Sequence, residues 1–159
     1  MPVAVRAPSL WRGRHAVTTA WSAARTTLAW LARLVIGRPC SVEIAADASG
    51  HFVVRGRVNG VAMSFLVDTG ATHVALTLGA ASRLGLSSRV RGFRRYHTAN
   101  GVLVAPLVRI SSIQVGPITV RNVDATILPD AAGPALLGMS FLRRLDSWKA
   151  RREMLTLRG

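Results

Sequence analysis

A carboxylate stands at the end of an apolar run, and small residues follow it directly. The run Val61–Val67 predicts a buried strand, and Asn59-Gly60 before it is the strongest two-residue hairpin turn in the chain. Because desolvating a lone carboxylate is costly, Asp68 is an unusual residue for such a position. Gly70 then permits a tight turn and the close approach of a second backbone. The sequence therefore brings one acid to the end of a core strand, at a crowded spot.

The loop Asp68-Thr69-Gly70-Ala71-Thr72 has two interpretations. Asp-Thr-Gly is ordinary turn chemistry, so a surface turn after a strand would explain it without any function. A second segment near the C-terminus, residues 135–142, favours a functional interpretation over the surface turn. It combines an apolar pair with a glycine and a short helical pattern. Its sequence is Ala135-Leu136-Leu137-Gly138-Met139-Ser140-Phe141-Leu142.

The pairing of these two segments resembles the retropepsin-like aspartic proteases, and more narrowly their bacterial single-domain members. The resemblance covers residues 41–157 and rests on six blocks that occur in the same order. The blocks are Gly50-His51-Phe52, Val58-Asn59-Gly60, the Asp68 loop, Arg83-Leu84-Gly85-Leu86, Thr98-Ala99-Asn100-Gly101, and Leu136 through Leu142.

Short strands separated by regular turns begin at residue 41 and predict a mostly-β fold. The resemblance implies the retropepsin-like acid protease fold, a dimer with a hairpin flap, crossed active-site loops and one or two short helices. We expect Ser41–Ala46 and His51–Val58 to pair as a hairpin and Thr77 to cap a helix over Leu78–Leu84. The other predicted elements are strands Tyr96–Thr98, Val102–Pro106, Leu107–Val115, Ile118–Val120 and Val123–Leu128, a helix Ser140–Leu145, and a closing strand pair Trp148–Ala150 with Met154–Leu157.

The chain divides into a basic arm, residues 1–40, and a protease domain, residues 41–159. Residues 14–35 separate into a basic face and an apolar face at helical periodicity, which suits an anionic membrane surface and predicts membrane association. A spanning helix fits less well, since Arg25 and Arg33 interrupt the apolar stretch. The alternatives are a helix packed on its own domain and a disordered extension. If the arm does not bind a membrane, we expect the protein to be cytoplasmic or periplasmic.

The chain carries 21 basic and 7 acidic residues, a formal net charge of +14. A basic surface can bind phosphate, but no helix-turn-helix, zinc-finger or aromatic stacking pattern accompanies the charge, so nucleic-acid binding is not favoured. One cysteine, Cys40, excludes an intrachain disulfide. The histidines have no metal-ligand spacing and no phosphate-binding glycine loop occurs, so we expect no metal and no cofactor.

Aspartic proteases need two carboxylates that share a proton around one water, and Asp68 is the one acid of this chain in a small-residue loop after an apolar strand. A lone carboxylate cannot act as both general base and general acid. We therefore expect a homodimer in which Asp68 of each subunit meets on a two-fold axis.

The resemblance assigns further roles around Asp68. Thr69 would brace the partner's loop, Gly70 would let the loops approach, Ala71 would keep the substrate side open and Thr72 would stabilise the turn. Leu136, Leu137 and Gly138 would pack beneath the loop, or be ordinary core followed by a glycine at a helix start. Thr98, Ala99, Asn100 and Gly101 would form the flap, or an inert surface hairpin. The strand Met154–Leu157 would pair in the dimer, and Val74, Leu103 and Ile127 would line an apolar substrate pocket.

These observations predict an aspartic endopeptidase that cuts an extended protein or peptide substrate with water activated by an Asp68 dyad. The alternative is a non-catalytic dimeric peptide-binding module with the same fold. A basic nucleic-acid-binding β protein is a third hypothesis, distinguished by a steep loss of binding with added salt.

Overall fold

The structure is a computed structural model that describes residues 40–98 and 101–159. Residues 1–39 of the arm, including the amphipathic pattern at 14–35, lie outside the described residues. Within the described part, no helix is long and apolar enough to cross a bilayer.

The described residues form ten strands, two α-helices and one 3₁₀ helix, so the prediction of a mostly-β fold is confirmed. The strands are β1 Ser41–Ala45, β2 Val53–Val58, β3 Val61–Val67, β4 Val74–Thr77, β5 Gly92–Thr98, β6 Gly101–Val115, β7 Ile118–Leu128, β8 Leu136–Leu137, β9 Ser147–Arg151 and β10 Met154–Arg158. The helices are α1 Leu78–Arg83 and α2 Met139–Leu142, and the 3₁₀ helix is Asp130–Ala132.

The described residues form two sheets. The larger has seven strands in the order β2-β3-β8-β4-β7-β6-β5, and the smaller has three in the order β1-β10-β9. Strand β2 also pairs with β6 through Arg57 and Val58, so the larger sheet curls back on itself. This curling encloses a core in which Phe65, Leu76 and Ile113 are fully buried. The core fixes the end of β3, which is where Asp68 begins.

Several local predictions are confirmed. Strand β3 has the expected bounds, and it pairs with β2 across the Asn59-Gly60 turn. Helix α1 begins after Thr77, whose hydroxyl accepts a hydrogen bond from the Ala80 N–H at 3.2 Å, as an N-cap residue does. The hairpin of β5 and β6 forms as expected and is longer than predicted, extending back to Gly92.

The predicted hairpin between residues 41–46 and 51–58 is wrong. Only an isolated bridge between Ala46 and Phe52 joins these segments, and β1 pairs along its whole length with β10 instead. The reason is burial: Ile44 lies beside Leu155 in this pairing, and both side chains are removed from solvent.

Two predicted breaks within strands are also wrong. Strand β6 continues through Pro106, since its ladder with β7 begins only at Leu107 and needs no N–H from the proline there. Strand β7 continues through Asn122, which adopts a positive φ of 54° inside the strand, a conformation that asparagine tolerates better than most residues.

The closing strand pair is confirmed, since β9 and β10 form an antiparallel hairpin. Strand β10 also pairs with β1, so its two edges are both occupied within the chain. This corrects the expectation that Met154–Leu157 is free to pair in a dimer. The outer edges of β1 and β9 are the ones that this sheet leaves open among the described residues.

Candidate active site

Asp68 lies half-buried at the carboxyl end of β3. Its Oδ1 accepts a hydrogen bond from the Gly70 N–H at 2.8 Å, which closes the small turn that the residues Asp-Thr-Gly favour. Its own N–H donates to the Leu137 carbonyl at 3.2 Å. The main chain and the side chain of Asp68 are therefore each fixed by a hydrogen bond to a backbone group. The second carboxylate oxygen, Oδ2, makes no hydrogen bond within the described residues.

The second segment lies between the two strands that flank the Asp68 loop. In β8, Leu136 and Leu137 pair in parallel with Leu66 and Val67 of β3. On its other side, Leu136 pairs with Ala75 of β4. The sheet thus brings together two segments that stand about seventy residues apart in sequence.

Gly138 follows β8 and lies directly against the loop backbone. A Cβ at this position would lie 2.7 Å from the Ala71 carbonyl oxygen and would also collide with the His73 carbonyl oxygen. The next residue, Met139, donates its N–H to the Ala71 carbonyl at 2.8 Å. Glycine is needed here because only a residue without a Cβ permits this approach.

Ser140 supports the same loop, a role for which the sequence gives no signal. Its hydroxyl accepts a hydrogen bond from the Val74 N–H at 2.9 Å and donates to the Asp124 carbonyl at 2.7 Å. One side chain thereby joins α2 to β4 and β7. A single serine within an apolar segment could not be distinguished from a helix-start residue without the fold.

The remaining predicted site residues have different surroundings. Thr69, Gly70 and Thr72 are exposed and Ala71 is half-buried. In the predicted flap, Thr98 pairs with Gly101, while Ala99 and Asn100 lie outside the described residues. Two residues expected to line a substrate pocket, Val74 and Ile127, are instead buried in the core, so that prediction is wrong for them. Leu103 is half-buried on β6.

An aromatic contact joins His73, which follows the Asp68 loop, to the hairpin of β5 and β6. The Tyr96 hydroxyl and the His73 Nδ1 lie 3.1 Å apart, and the two rings meet edge to face with centroids 5.8 Å apart. Burial has the largest influence on the imidazole and lowers the pKa of His73; Asp124 raises this pKa, Arg94 lowers it, and the net direction is down. His73 is therefore biased towards its neutral form.

The other six acids of the chain take no part in this loop. The Asp124 carboxylate pairs with Arg109, the Asp130 carboxylate accepts from the Gly79 N–H at 3.0 Å, and Asp47 accepts from two N–H groups of its own turn. The other three acids, Glu43, Asp146 and Glu153, are exposed. Residues 40–98 and 101–159 contain no group of three or more histidine, cysteine or acidic residues that could hold a metal ion.

An apolar cavity of about 360 Å³ lies beside β3, next to the candidate site. Leu66, two residues before Asp68, forms part of its wall. Sequence reasoning missed this cavity, because its walls come from three separate segments that only the pairing of β2, β3 and β8 brings together. The lining residues are Asp47, His51, Val53, Ser64, Phe65, Leu66 and Pro134.

A second cavity has a volume of about 280 Å³, and we call it the basic cavity. Thr72 and His73, at the end of the Asp68 loop, form one of its walls. Asp124 and Ser140 contribute a second wall. Arg143 and Arg144, which follow α2, complete it. In sequence these two arginines are simply two of the five basic residues between positions 143 and 152.

Replacing Gly138 with alanine should destabilise the protein by about 2 kcal/mol or more, because the methyl group must displace two backbone carbonyls. The free energy of unfolding in urea measures this loss. Gly79→Ala is the matched control: its Cβ would meet its nearest neighbour at 3.6 Å, an ordinary contact, and alanine suits a helix. Equal stability of the two variants would contradict the close approach described for Gly138.

The lowered pKa of His73 predicts a pH dependence of stability. The unfolded chain protonates His73 more readily than the folded protein, so the free energy of unfolding should fall as the pH drops below about 6.5. His73→Gln should reduce the difference in urea midpoint between pH 7.5 and pH 5. Tyr96→Phe should keep the wild-type difference, because burial is the main cause. A His73→Gln protein with an unchanged difference would contradict this account.

Comparisons with known proteins agree with this arrangement. Residues 54–144 match the family described as "gag-polyprotein putative aspartyl protease". A crystal structure of a retropepsin-like aspartic protease from Rickettsia conorii superposes with a TM-score of 0.67 at 33% identity, covering 76% of this chain and 92% of that one.

Two curated relatives are uncharacterised proteins. One is encoded in the 5′ region of cobV in a Sinorhizobium species and is 41% identical over 112 residues, which is 69% of this chain and 48% of the relative. The other is from Rickettsia prowazekii and is 34% identical over 117 residues, 73% of this chain and 50% of the relative. The chain spans about half the length of both. With the matched region covering the strand that ends at Asp68 and the segment that braces it, the chain belongs to the retropepsin-like gag-polyprotein aspartyl protease family.

Proposed function

We propose that this protein is an aspartic endopeptidase that hydrolyses peptide bonds in an extended substrate. The observation that carries the proposal is the position of Asp68, half-buried at the end of a core strand in a loop whose backbone is fixed by β8 and by Gly138. Stability alone does not explain a carboxylate at this half-buried position, because an exposed turn would solvate it better, so a functional use is the better explanation. Activating a water for attack on a carbonyl is such a use.

The chemistry requires a second carboxylate, which a second copy of the chain would supply. None of the other six acids hydrogen-bonds with the Asp68 loop in the described residues. The proposed enzyme is therefore a homodimer in which Asp68 faces Asp68 of the partner subunit across a two-fold axis. Two carboxylates in direct contact cannot both be ionised, because their negative charges repel each other. The pair would therefore hold one proton between them.

This shared proton gives the two carboxylates different tasks. The ionised one removes a proton from the water, whose oxygen then attacks the peptide carbonyl. The protonated one donates a hydrogen bond, then its proton, to the developing oxyanion. As the tetrahedral intermediate collapses, a proton passes to the leaving amine and the C–N bond breaks. No group beyond the dyad and the water is needed for the proton transfers.

The loop has the properties that such a dimer would need. Thr69 is exposed and its hydroxyl makes no hydrogen bond within the described residues, which leaves it able to bind a partner loop. Gly70 is also exposed and carries no side chain to keep two loops apart. Since β10 has no open edge, the interface would use the loops together with an outer edge of β1 or β9.

Substrate binding would use the flap hairpin and the apolar cavity. The contact between Tyr96 and His73 holds β5 of the hairpin beside the loop. The cavity beside Leu66 has room for a large apolar side chain, and its walls include Val53, Phe65 and Pro134. We therefore propose a preference for an apolar residue next to the bond that is cut.

Replacing Asp68 with asparagine should reduce peptide cleavage at least about 100-fold, because an amide cannot exchange the protons that the dyad exchanges. Cleavage of a mixed peptide library between pH 3 and pH 8 measures this. One member of the pair has to carry a proton, so we expect the wild type to cut faster at acidic than at alkaline pH.

Asp146→Asn is the matched control, since it makes the same chemical change at an exposed acid outside the site. Cleavage by Asp68→Asn at the wild-type rate would contradict the proposal. A folded wild-type protein that binds these peptides and cuts none of them would instead be a peptide-binding module.

A further inference from the structure

The basic cavity has an unbalanced positive charge. The Asp124 carboxylate that lines it is already paired, since its Oδ1 accepts from Nε of Arg109 at 2.9 Å and lies 2.9 Å from Nη2 of the same residue. Arg144 donates to the main-chain carbonyls of Arg121 and Asn122, which carry no net charge. Arg143 has no ion-pair partner in the described part of the chain. Two guanidinium groups therefore line a cavity in which the carboxylate is already neutralised.

The walls of this cavity are held in place before any ligand arrives. Ser140 joins the Val74 N–H and the Asp124 carbonyl, so the floor between α2, β4 and β7 is fixed by hydrogen bonds. The two carbonyls that bind Arg144 hold its guanidinium against β7 at Arg121 and Asn122, inside the strand. A site organised in this way loses little conformational entropy when it binds an anion.

The cavity is large enough to admit an acidic side chain. Its volume of about 280 Å³ corresponds to roughly nine water molecules at about 30 Å³ each. A guanidinium group binds a carboxylate through two parallel N–H donors, and Arg143 is free to do so. Thr72 is exposed and lines the same cavity, so its hydroxyl adds a further donor.

The cavity is also near enough to the bond that is cut to bind a side chain of the same substrate. Thr72 is four residues from Asp68, and four residues of chain span at most about 14 Å. An extended peptide advances about 3.3 Å per residue, so this distance equals about four substrate residues. His73, which lines the cavity, contacts Tyr96 of the flap hairpin, and this hairpin would lie over the same peptide.

We propose that the basic cavity binds the carboxylate of a glutamate or aspartate side chain of the substrate, within about four residues of the bond that is cut. This inference rests on the proposed protease function and names a class of substrate for it: peptides with an apolar residue at the cut and an acid a few residues away. In a two-fold dimer each subunit presents one such cavity, so an acid on either side of the cut can be bound.

The test uses the 159-residue chain and one apolar peptide that it cuts. Glutamate is placed in turn at each of the four positions on either side of the cut, and each peptide is compared with its glutamine isostere. At one position on at least one side, kcat/KM should be about fivefold higher for glutamate, as expected for one partly exposed ion pair. Arg143→Gln should remove this preference, and Arg143→Glu should replace it with a preference for lysine over glutamine at the same position.

Arg83→Gln is the matched control, because it removes one exposed arginine at the end of α1, away from the cavity. It should keep the preference. A glutamate preference that is equal at all positions and survives in Arg143→Gln would reflect only the net charge of the chain and would overturn the inference. So would the absence of any preference.

A binding measurement separates this inference from the proposed function. Fluorescence anisotropy of the same labelled peptides with the Asp68→Asn variant does not depend on cleavage. If the wild type cuts no peptide, the proposed function fails, and the cavity is judged by binding alone. Affinity about fivefold higher for the glutamate peptide, lost when Arg143→Gln is added, supports the anion site. Equal affinities for glutamate and glutamine overturn it.

Discussion

The contact between the Gly138 backbone and the Asp68 loop is the constraint on which the rest of this structure depends. Strand β8 fits between β3 and β4 because the residue after it has no Cβ to collide with the carbonyls of Ala71 and His73. That insertion aligns the Leu137 carbonyl with the Asp68 N–H and the Ala71 carbonyl with the Met139 N–H. The direction of the carboxylate is therefore set by backbone hydrogen bonds, which hold a group more rigidly than a flexible side chain could.

The same insertion creates the surroundings of the candidate site. Because β8 lies beside β3, Pro134 comes next to Leu66 and the apolar cavity forms between them. Because α2 follows β8 at once, Ser140 reaches Asp124 and Arg143 borders the basic cavity. One cavity is apolar and the other carries uncompensated positive charge. A single close backbone approach thus determines the position of the carboxylate and the formation of two chemically different cavities.

The sequence predicted the parts of this arrangement that local chemistry determines. Val61–Val67 and the Thr77 cap were predictable because their signals lie within a few residues of the element. The loop at Asp68 was recognisable for the same reason. The pairing of β1 with β10 was missed, since the alternating pattern of β1 suits either partner and only the burial of Ile44 against Leu155 distinguishes them. Both cavities were missed because their walls come from segments far apart in sequence, and Ser140 lacked any local signal.

The central claim is that two copies of the chain share one site, and mixing wild-type subunits with Asp68→Asn subunits tests it most directly. The two proteins are allowed to exchange subunits at a fixed total concentration, and peptide cleavage is measured as the wild-type fraction falls. If both carboxylates are required, an equal mixture should retain about a quarter of the wild-type rate, because only about one dimer in four has two wild-type subunits. Retention of about half the rate would mean that each subunit works alone, which would contradict the shared site.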